Sequence, residues 1–164
     1  MNLLDKEPVK RAEKALRDFN PKLNIIILKE TARTAIDAAN SLKCEAGAIV
    51  KSLLFKAESI FILCLIAGDK RCSLNKLKKI TNIKDISMAT PEEVKKQTGF
   101  TIGGVSPVGH VNKVKIFIDK SLERFSDLYG AAGHPNCVFK INFIDIQKIT
   151  NGKVEDIIEW DNLN

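Results

Sequence analysis

The chain has 164 residues, 45% of them hydrophobic and 28% charged. At about 100–200 residues per domain this suits one domain, long enough to bury roughly two thirds of its unfolded surface without a disulfide or a metal. The composition excludes a disordered chain, a collagen and a coiled coil. Lys plus Arg is 26 and Asp plus Glu is 20, a net charge of +6, and the excess is uneven: residues 1–84 carry 17 basic and 9 acidic side chains, residues 85–164 carry 9 and 11. The first half is where a polyanion is drawn; a solvated lysine face accounts for the same charge.

No apolar run approaches the ~20 residues that span a bilayer. The longest, Ser59 to Ala67, has strand length. Residues 1–17 mix acids and bases and lack the apolar stretch of a signal peptide. Cys44, Cys64, Cys72 and Cys137 form no CxxC pair, and the histidines are His110 and His134, so zinc-ligand spacing is absent. Scattered cysteines in an unexported chain read as reduced thiols, which places the protein in the cytoplasm.

In chain order, Asp5 to Phe19 reads as a helix, with Val9, Ala12, Leu16 and Phe19 on one face and Asn20-Pro21 as its stop. Asn24 to Leu28 reads as a buried strand. Thr34-Ala35-Ile36-Asp37 is a capping box opening a helix to about Leu42. Gly47 to Ala57 and Ser59 to Ala67 are strands, and Glu58-Ser59 between them suggests a hairpin. Ser73 to Ile80 is a lysine-rich amphipathic helix. Thr90-Pro91-Glu92-Glu93 is a second capping box, whose helix ends at Gly99. Thr101 to His110 is a loop by composition. Lys113 to Ile118 is a strand, Leu122 to Phe125 a helical turn, and Gly130 to Pro135 a tight glycine loop. Val138 to Ile141 is a strand, Phe143 to Thr150 a helix stopped at Asn151-Gly152, and Val154 to Ile158 a last strand. Strands and short helices without βαβ alternation predict an α+β fold, with a curved, mixed, largely antiparallel sheet flanked by short helices. Residues 1–164 read as one compact unit.

Three features carry candidate chemistry. Lys51 lies among Ile49, Val50, Leu53, Leu54 and Phe55 and shares a strand face with Ile49 and Leu53. Burying an unpaired ammonium is costly, so Lys51 either snorkels out at a sheet edge or meets an anion in a pocket. Gly103-Gly104, followed by Ser106-Pro107, lets backbone N–H groups approach a ligand and suits a carbonyl oxygen that gains charge under attack; a helix-ending turn is the plainer account. Gly133-His134-Pro135 sets a histidine in a loop, exposed or beside a substrate. No G-x-S-x-G nucleophile elbow and no phosphate-binding P-loop occurs.

Taken in order, these stretches resemble the YbaK family of aminoacyl-tRNA deacylases, related to the editing domain inserted in bacterial prolyl-tRNA synthetases. The matching segments are Thr31-Ala32-Arg33-Thr34-Ala35, Ile49-Val50-Lys51-Ser52-Leu53, Thr98-Gly99-Phe100-Thr101-Ile102-Gly103-Gly104-Val105-Ser106-Pro107-Val108-Gly109, and Ala131-Ala132-Gly133-His134-Pro135. The likeness runs from about residue 22 to 158, after an N-terminal helix within 1–20.

The resemblance implies hydrolysis of the ester joining a wrong amino acid to the 3′ adenosine of a tRNA, without metal, cofactor or covalent nucleophile. It implies catalytic roles for Lys51, Gly104 and His134, and substrate contacts from Thr31, Ser52, Ile102, Gly103, Ser106, Pro107 and Gly133. The expected partners are the acceptor end of a mischarged tRNA and prolyl-tRNA synthetase; no membrane and no DNA is expected. Lys76, Lys78 and Lys79 are the candidate tRNA-binding residues. Relatives with the Thr-Ala-Arg-Thr opening often carry Thr where this chain has His134, while alanyl-prolyl deacylases of the family use a histidine in that loop, which leaves alanine, a small non-protein residue, serine, threonine and cysteine open as the amino acid removed. A non-catalytic module that captures tRNA or a synthetase, and a hydrolase of small esters, are the alternatives.

Overall fold

The computed structural model describes residues 2–30, 32 and 34–160. Five α-helices and ten strands occur among them. The helices are α1 (Glu7–Phe19), α2 (Ala35–Leu42), α3 (Leu74–Thr81), α4 (Pro91–Thr98) and α5 (Phe143–Thr150). The strands are β1 (Ile25–Ile27), β2 (Val50–Ala57), β3 (Ile60–Ala67), β4 (Arg71–Cys72) and β5 (Ile86–Met88), then β6 (Lys115–Asp119), β7 (Leu128–His134), β8 (Cys137–Ile141), β9 (Lys153–Glu155) and β10 (Ile158–Glu159).

The helices begin where short polar side chains satisfy the first free N–H groups. Thr90 and Glu93 close a reciprocal capping box, with bonds of 3.2 and 2.9 Å. Thr34 accepts from Asp37 N at 3.1 Å, so α2 keeps the threonine half of its box. Ser73 caps α3 and Asn142 caps α5.

The mixed five-stranded sheet has the order β5-β2-β3-β6-β9. β2 pairs antiparallel with β3 and β5, while β3–β6 and β6–β9 are parallel. Central β3 is covered on both faces, which explains its continuous apolar sequence: Ile62 to Ala67 are all fully buried. One face meets the main core, with Leu63, Leu65, Phe100 and Phe139; the other packs Cys64 and Ile66 against Leu77 of α3 and Phe117. Each such aliphatic or aromatic side chain contributes about 1.5–3 kcal/mol on burial. A three-stranded antiparallel sheet, β1-β8-β7, closes the main core, and β4 and β10 form a two-stranded ribbon.

Three expectations change. Gly130 to His134 is not a loop but the end of β7, paired with β8 through a bulge between Ala131 and His134; Pro135-Asn136 is the two-residue turn. Its small residues have low strand propensity but are demanded by their neighbours. A Cβ on Gly130 would lie 3.0 Å from the Phe139 ring, and one on Gly133 (φ +89°) 2.6 Å from Pro8 O. The last strand divides into β9 and β10, because Ile157 N donates to buried Asp119 between them. Residues 46–48 form a 3-10 turn, so β2 starts at Val50.

Candidate functional site

β5 pairs with β2 only over Phe55, Lys56 and Ala57, and Leu54 O accepts from Ala89 N. Backbone groups alternate sides along an antiparallel strand. The N–H and C=O of Ser52 therefore face away from β3, toward the stretch of edge left between the β5 pairing and the isolated bridge of Ile49 to Tyr129. A cavity of about 520 Å³ opens along this bare edge. β2 from Val50 to Leu54 forms one wall, and α2, the Ile102-Gly103 loop and Tyr129 to Ala131 of β7 complete it. The lining is mainly apolar. Ile36, Met88 and Ile102, each more than half exposed, rim the mouth.

Lys51 is the lysine in this wall among the described residues. Its Nζ donates to Lys70 O, in the turn between β3 and β4. Burial pushes its pKa below the ordinary lysine value, with Asp69 pulling the other way. Arg124 grips Asp69 through two bonds of 2.8 and 3.1 Å and holds that carboxyl below the usual range. The Lys51 ammonium uses one of its three donors on Lys70 O, which leaves two others. Beside it, the buried Ser52 hydroxyl has no hydrogen-bond partner among the described residues.

The two glycine segments are laced together. Gly133 N donates to Gly104 O at 3.0 Å, and a Cβ on Gly104 would lie 2.9 Å from His134 N. Gly104 N is occupied by Thr101 O at 2.9 Å, while the N–H of Gly103 makes no hydrogen bond among the described residues. α1 braces both segments: Arg11 donates to Gly109 O at 2.6 Å and Gly99 O at 2.8 Å, and Pro8 abuts Gly133.

Lys51, Ser52, Ile102 and Gly103 thus share one cavity. The other sequence candidates lie elsewhere or play a framework part. Ser106 is fully buried and accepts from Val108 N at 3.1 Å. Pro107 lines a different cleft. His134 lies beside the cavity rather than in its lining; its Nδ1 accepts from Asn136 N at 3.0 Å, and burial, then Lys6, lowers its pKa. The other histidine, His110, donates from Nε2 to Ser106 O at 2.7 Å and so belongs to the framework of the loop. Lys76 is held by Asp156 at 2.9 Å and Ile158 O at 2.7 Å, while Lys78 is half-buried and Lys79 exposed on α3. Thr31 lies outside the described residues. Sequence reasoning missed Met88, Tyr129 and the Asp69–Arg124 pair. Asp69 and Arg124 lie 55 positions apart, and no periodicity links them. Among the described residues, no group of three His, Cys, Asp or Glu side chains is placed to hold a metal ion.

Residues 29–149 match the aminoacyl-tRNA editing domain. The chain belongs to that family. This editing domain is 37% identical to a proline–tRNA ligase of Kosmotoga olearia over 119 residues, 73% of this chain and 19% of the ligase. It therefore spans about a fifth of the length of that relative. It is 28% identical to the uncharacterized protein YwhH of Bacillus subtilis over 83% of this chain and 87% of YwhH. A crystal structure described as that of a candidate trans-editing enzyme for prolyl tRNA synthetase superposes with a TM-score of 0.89 at 33% identity, covering 94% of this chain and 99% of the other. No helix among the described residues of the editing domain is long and apolar enough to cross a membrane.

Proposed function

We propose that the whole chain acts as a free-standing editing hydrolase in the cytoplasm. It cleaves the ester of a mischarged aminoacyl-tRNA, with tRNA-Pro carrying alanine, cysteine, serine or threonine as the substrate class. The observation that carries this reading is the half-buried Lys51 in the wall of an apolar cavity that Gly103 also lines. A volume of about 520 Å³ suits an aminoacyl-adenosine end, since ligand pockets run from about 300 to 1,000 Å³.

In this mechanism Lys51 holds the ribose end of the substrate through its two remaining donors. The bare β2 edge and the Ser52 hydroxyl take polar groups of the terminal nucleoside or the amino acid. A water oxygen attacks the ester carbonyl carbon. The carbonyl oxygen becomes an oxyanion that accepts from Gly103 N–H, a donor fixed in place before the charge develops. The tetrahedral intermediate collapses by breaking the carbon–oxygen bond to the ribose. The ribose oxygen takes a proton and the free amino acid departs. Positioning supplies much of the rate. A cysteinyl ester offers a second route: its own sulfur attacks the ester carbonyl carbon, the carbon–oxygen bond to the ribose breaks, the ribose oxygen takes the thiol proton, and water then opens the thiolactone to free cysteine. Prolyl-tRNA synthetase is the proposed partner, as the source of the mischarged product.

The test is a deacylation panel: tRNA-Pro charged with alanine, cysteine, serine or threonine, beside cognate alanyl- and threonyl-tRNA. Fast, Lys51-dependent release from a mischarged species supports the reading. No release, with tRNA still retarded in a mobility-shift gel, replaces it with a non-catalytic binding module.

A further inference from the structure

A second cleft, of about 790 Å³, is built on the far end of the loop that lines the editing cavity. Gly103 and Val105 face the first cavity; Pro107 to His110 face the second. The other walls come from Lys113 and Lys115 on one side, and from Asn151 and Lys153 after α5 on the other. Three lysines line this cleft, and no aspartate or glutamate does.

These lysines are available. Lys113 is exposed and makes no ion pair among the described residues. Lys115 lies with its ammonium 5.4 Å from the Phe117 ring centre and is otherwise exposed. Lys153 reaches Glu155 at 3.2 Å, and its side chain is 72% exposed, so the pair holds it weakly. The carbonyls at the end of α5 oppose an anion, but part of this is neutralised: Ile146 O accepts from the Thr150 hydroxyl at 2.7 Å and Lys148 O accepts from Asn151 N at 3.4 Å. Some basic residues elsewhere have an acidic partner at hand. Lys76 is tied to Asp156, and on α1 the pairs Lys14–Asp18 and Arg11–Glu7 offset the charge. A concave surface of one sign focuses its field on a polyanion.

Resting on the editing reading, which puts an RNA 3′ end in the neighbouring cavity, we propose that the Lys113–Lys115–Lys153 cleft binds the phosphodiester backbone of the acceptor stem. The loop from Gly103 to His110 then joins the backbone contact to the hydrolytic site. Such contacts fix register and orientation without reading sequence.

The probe is an uncharged, fluorescein-labelled RNA hairpin ending in single-stranded CCA, titrated by anisotropy across a salt series. The proteins are wild type, K113E/K153E, K78E/K79E and the single-charge control K84E. K113E/K153E is expected to weaken binding about tenfold or more and to flatten the slope of log K against log salt by about 1.5, since each phosphate contact contributes roughly 0.7–0.9. K84E is expected to change neither. Unchanged binding in K113E/K153E, or an equal loss in K78E/K79E, overturns the proposal. A separate arm follows hydrolysis of an aminoacyl ester of adenosine, which lacks the stem. Wild-type protein that binds the hairpin through the cleft but releases no amino acid from any ester overturns the editing reading and supports the cleft. Hydrolysis of the small ester with hairpin binding indifferent to K113E/K153E overturns the cleft alone.

Discussion

The ammonium of Lys51 donates to the main-chain carbonyl of Lys70, so the turn after β3, rather than a carboxylate, holds the lysine of the cavity wall. A carbonyl restrains the ammonium without neutralising it, which keeps its charge for a ligand. That turn is in turn fixed by the Arg124–Asp69 fork. Lys51→Met keeps the aliphatic stem and removes the charge. Its hydrolysis is expected to fall by about 10²-fold or more, the scale of losing one preorganised electrostatic contact. Its thermal midpoint is expected to stay within a few degrees of wild type. Single-turnover deacylation and a melting curve check both; retained hydrolysis removes Lys51 from the mechanism.

The pH profile follows from the same environment. Burial depresses the Lys51 pKa and Asp69 raises it. The ammonium is therefore lost at lower pH than on an ordinary lysine, and activity is expected to decline on the alkaline side below the usual lysine range. Asp69→Asn removes the raising charge and is expected to move that limb to still lower pH. For stability the sign is opposite. Between the lowered folded value and the ordinary unfolded one, the unfolded chain binds more protons, so the Lys51 contribution rises with pH through that window. Rate profiles of wild type and Asp69→Asn decide this; coincident alkaline limbs would separate the titration from Lys51.

Local chemistry makes several helices readable from the sequence: Thr90 with Glu93 marks a start, and Gly99 and Asn151 mark ends in the left-handed conformation. The β2–β3 hairpin is equally legible, with Glu58 at φ 54° in its two-residue turn. What is not legible is decided by tertiary contact. Gly130 to Gly133 has loop composition, yet Phe139 and Pro8 impose a strand there. Half-charge arithmetic points to the first 84 residues, whereas the lysines of the second cleft come from the net-negative half, because summed charge ignores pairing such as Lys76–Asp156. At the site, the Lys51-Ser52 and Ile102-Gly103 segments are visible as motifs. The bare β2 edge between them depends on where β5 stops pairing, which no local signal encodes.

Gly103 and Gly104 are expected to respond differently to alanine. At Gly104 the new Cβ meets backbone, 2.9 Å from His134 N and 3.0 Å from Gly133 C, so the two glycine segments must separate. That overpacking is expected to cost about 1–3 kcal/mol and to impair hydrolysis with it. At Gly103 the nearest atom is Pro135 Cγ at 3.5 Å, but φ is +95°. The cost there is backbone strain of roughly 1–2 kcal/mol, and the bulk of the fold should remain. Chemical denaturation of both variants, paired with single-turnover rates, separates them; a Gly104→Ala protein as stable as wild type would contradict the close packing.

His134→Ala is expected to alter the ranking of amino acids released by a few-fold without abolishing hydrolysis. Its ring nitrogen serves Asn136 N, at the turn whose Pro135 lines the cavity, so the substitution acts on the wall rather than on the reacting bond. The deacylation panel repeated on the variant reads this directly. An unchanged ranking places the side chain outside substrate recognition.

Ser52 offers the sharpest separation of stability from function. Its hydroxyl is buried in the cavity wall without a partner among the described residues, and an unsatisfied buried polar group costs about 1–3 kcal/mol. A protein selected only for stability gains from alanine at this position. Ser52→Ala is therefore expected to be as stable as wild type or more so, by up to about 1 kcal/mol. If the hydroxyl is kept for the substrate, KM is expected to rise about tenfold, equivalent to roughly 1.4 kcal/mol of lost binding. Thermal melts and steady-state deacylation on the same preparations give both numbers. A destabilised Ser52→Ala with unchanged KM assigns the hydroxyl to the fold; a stabilised variant with raised KM assigns it to the ligand.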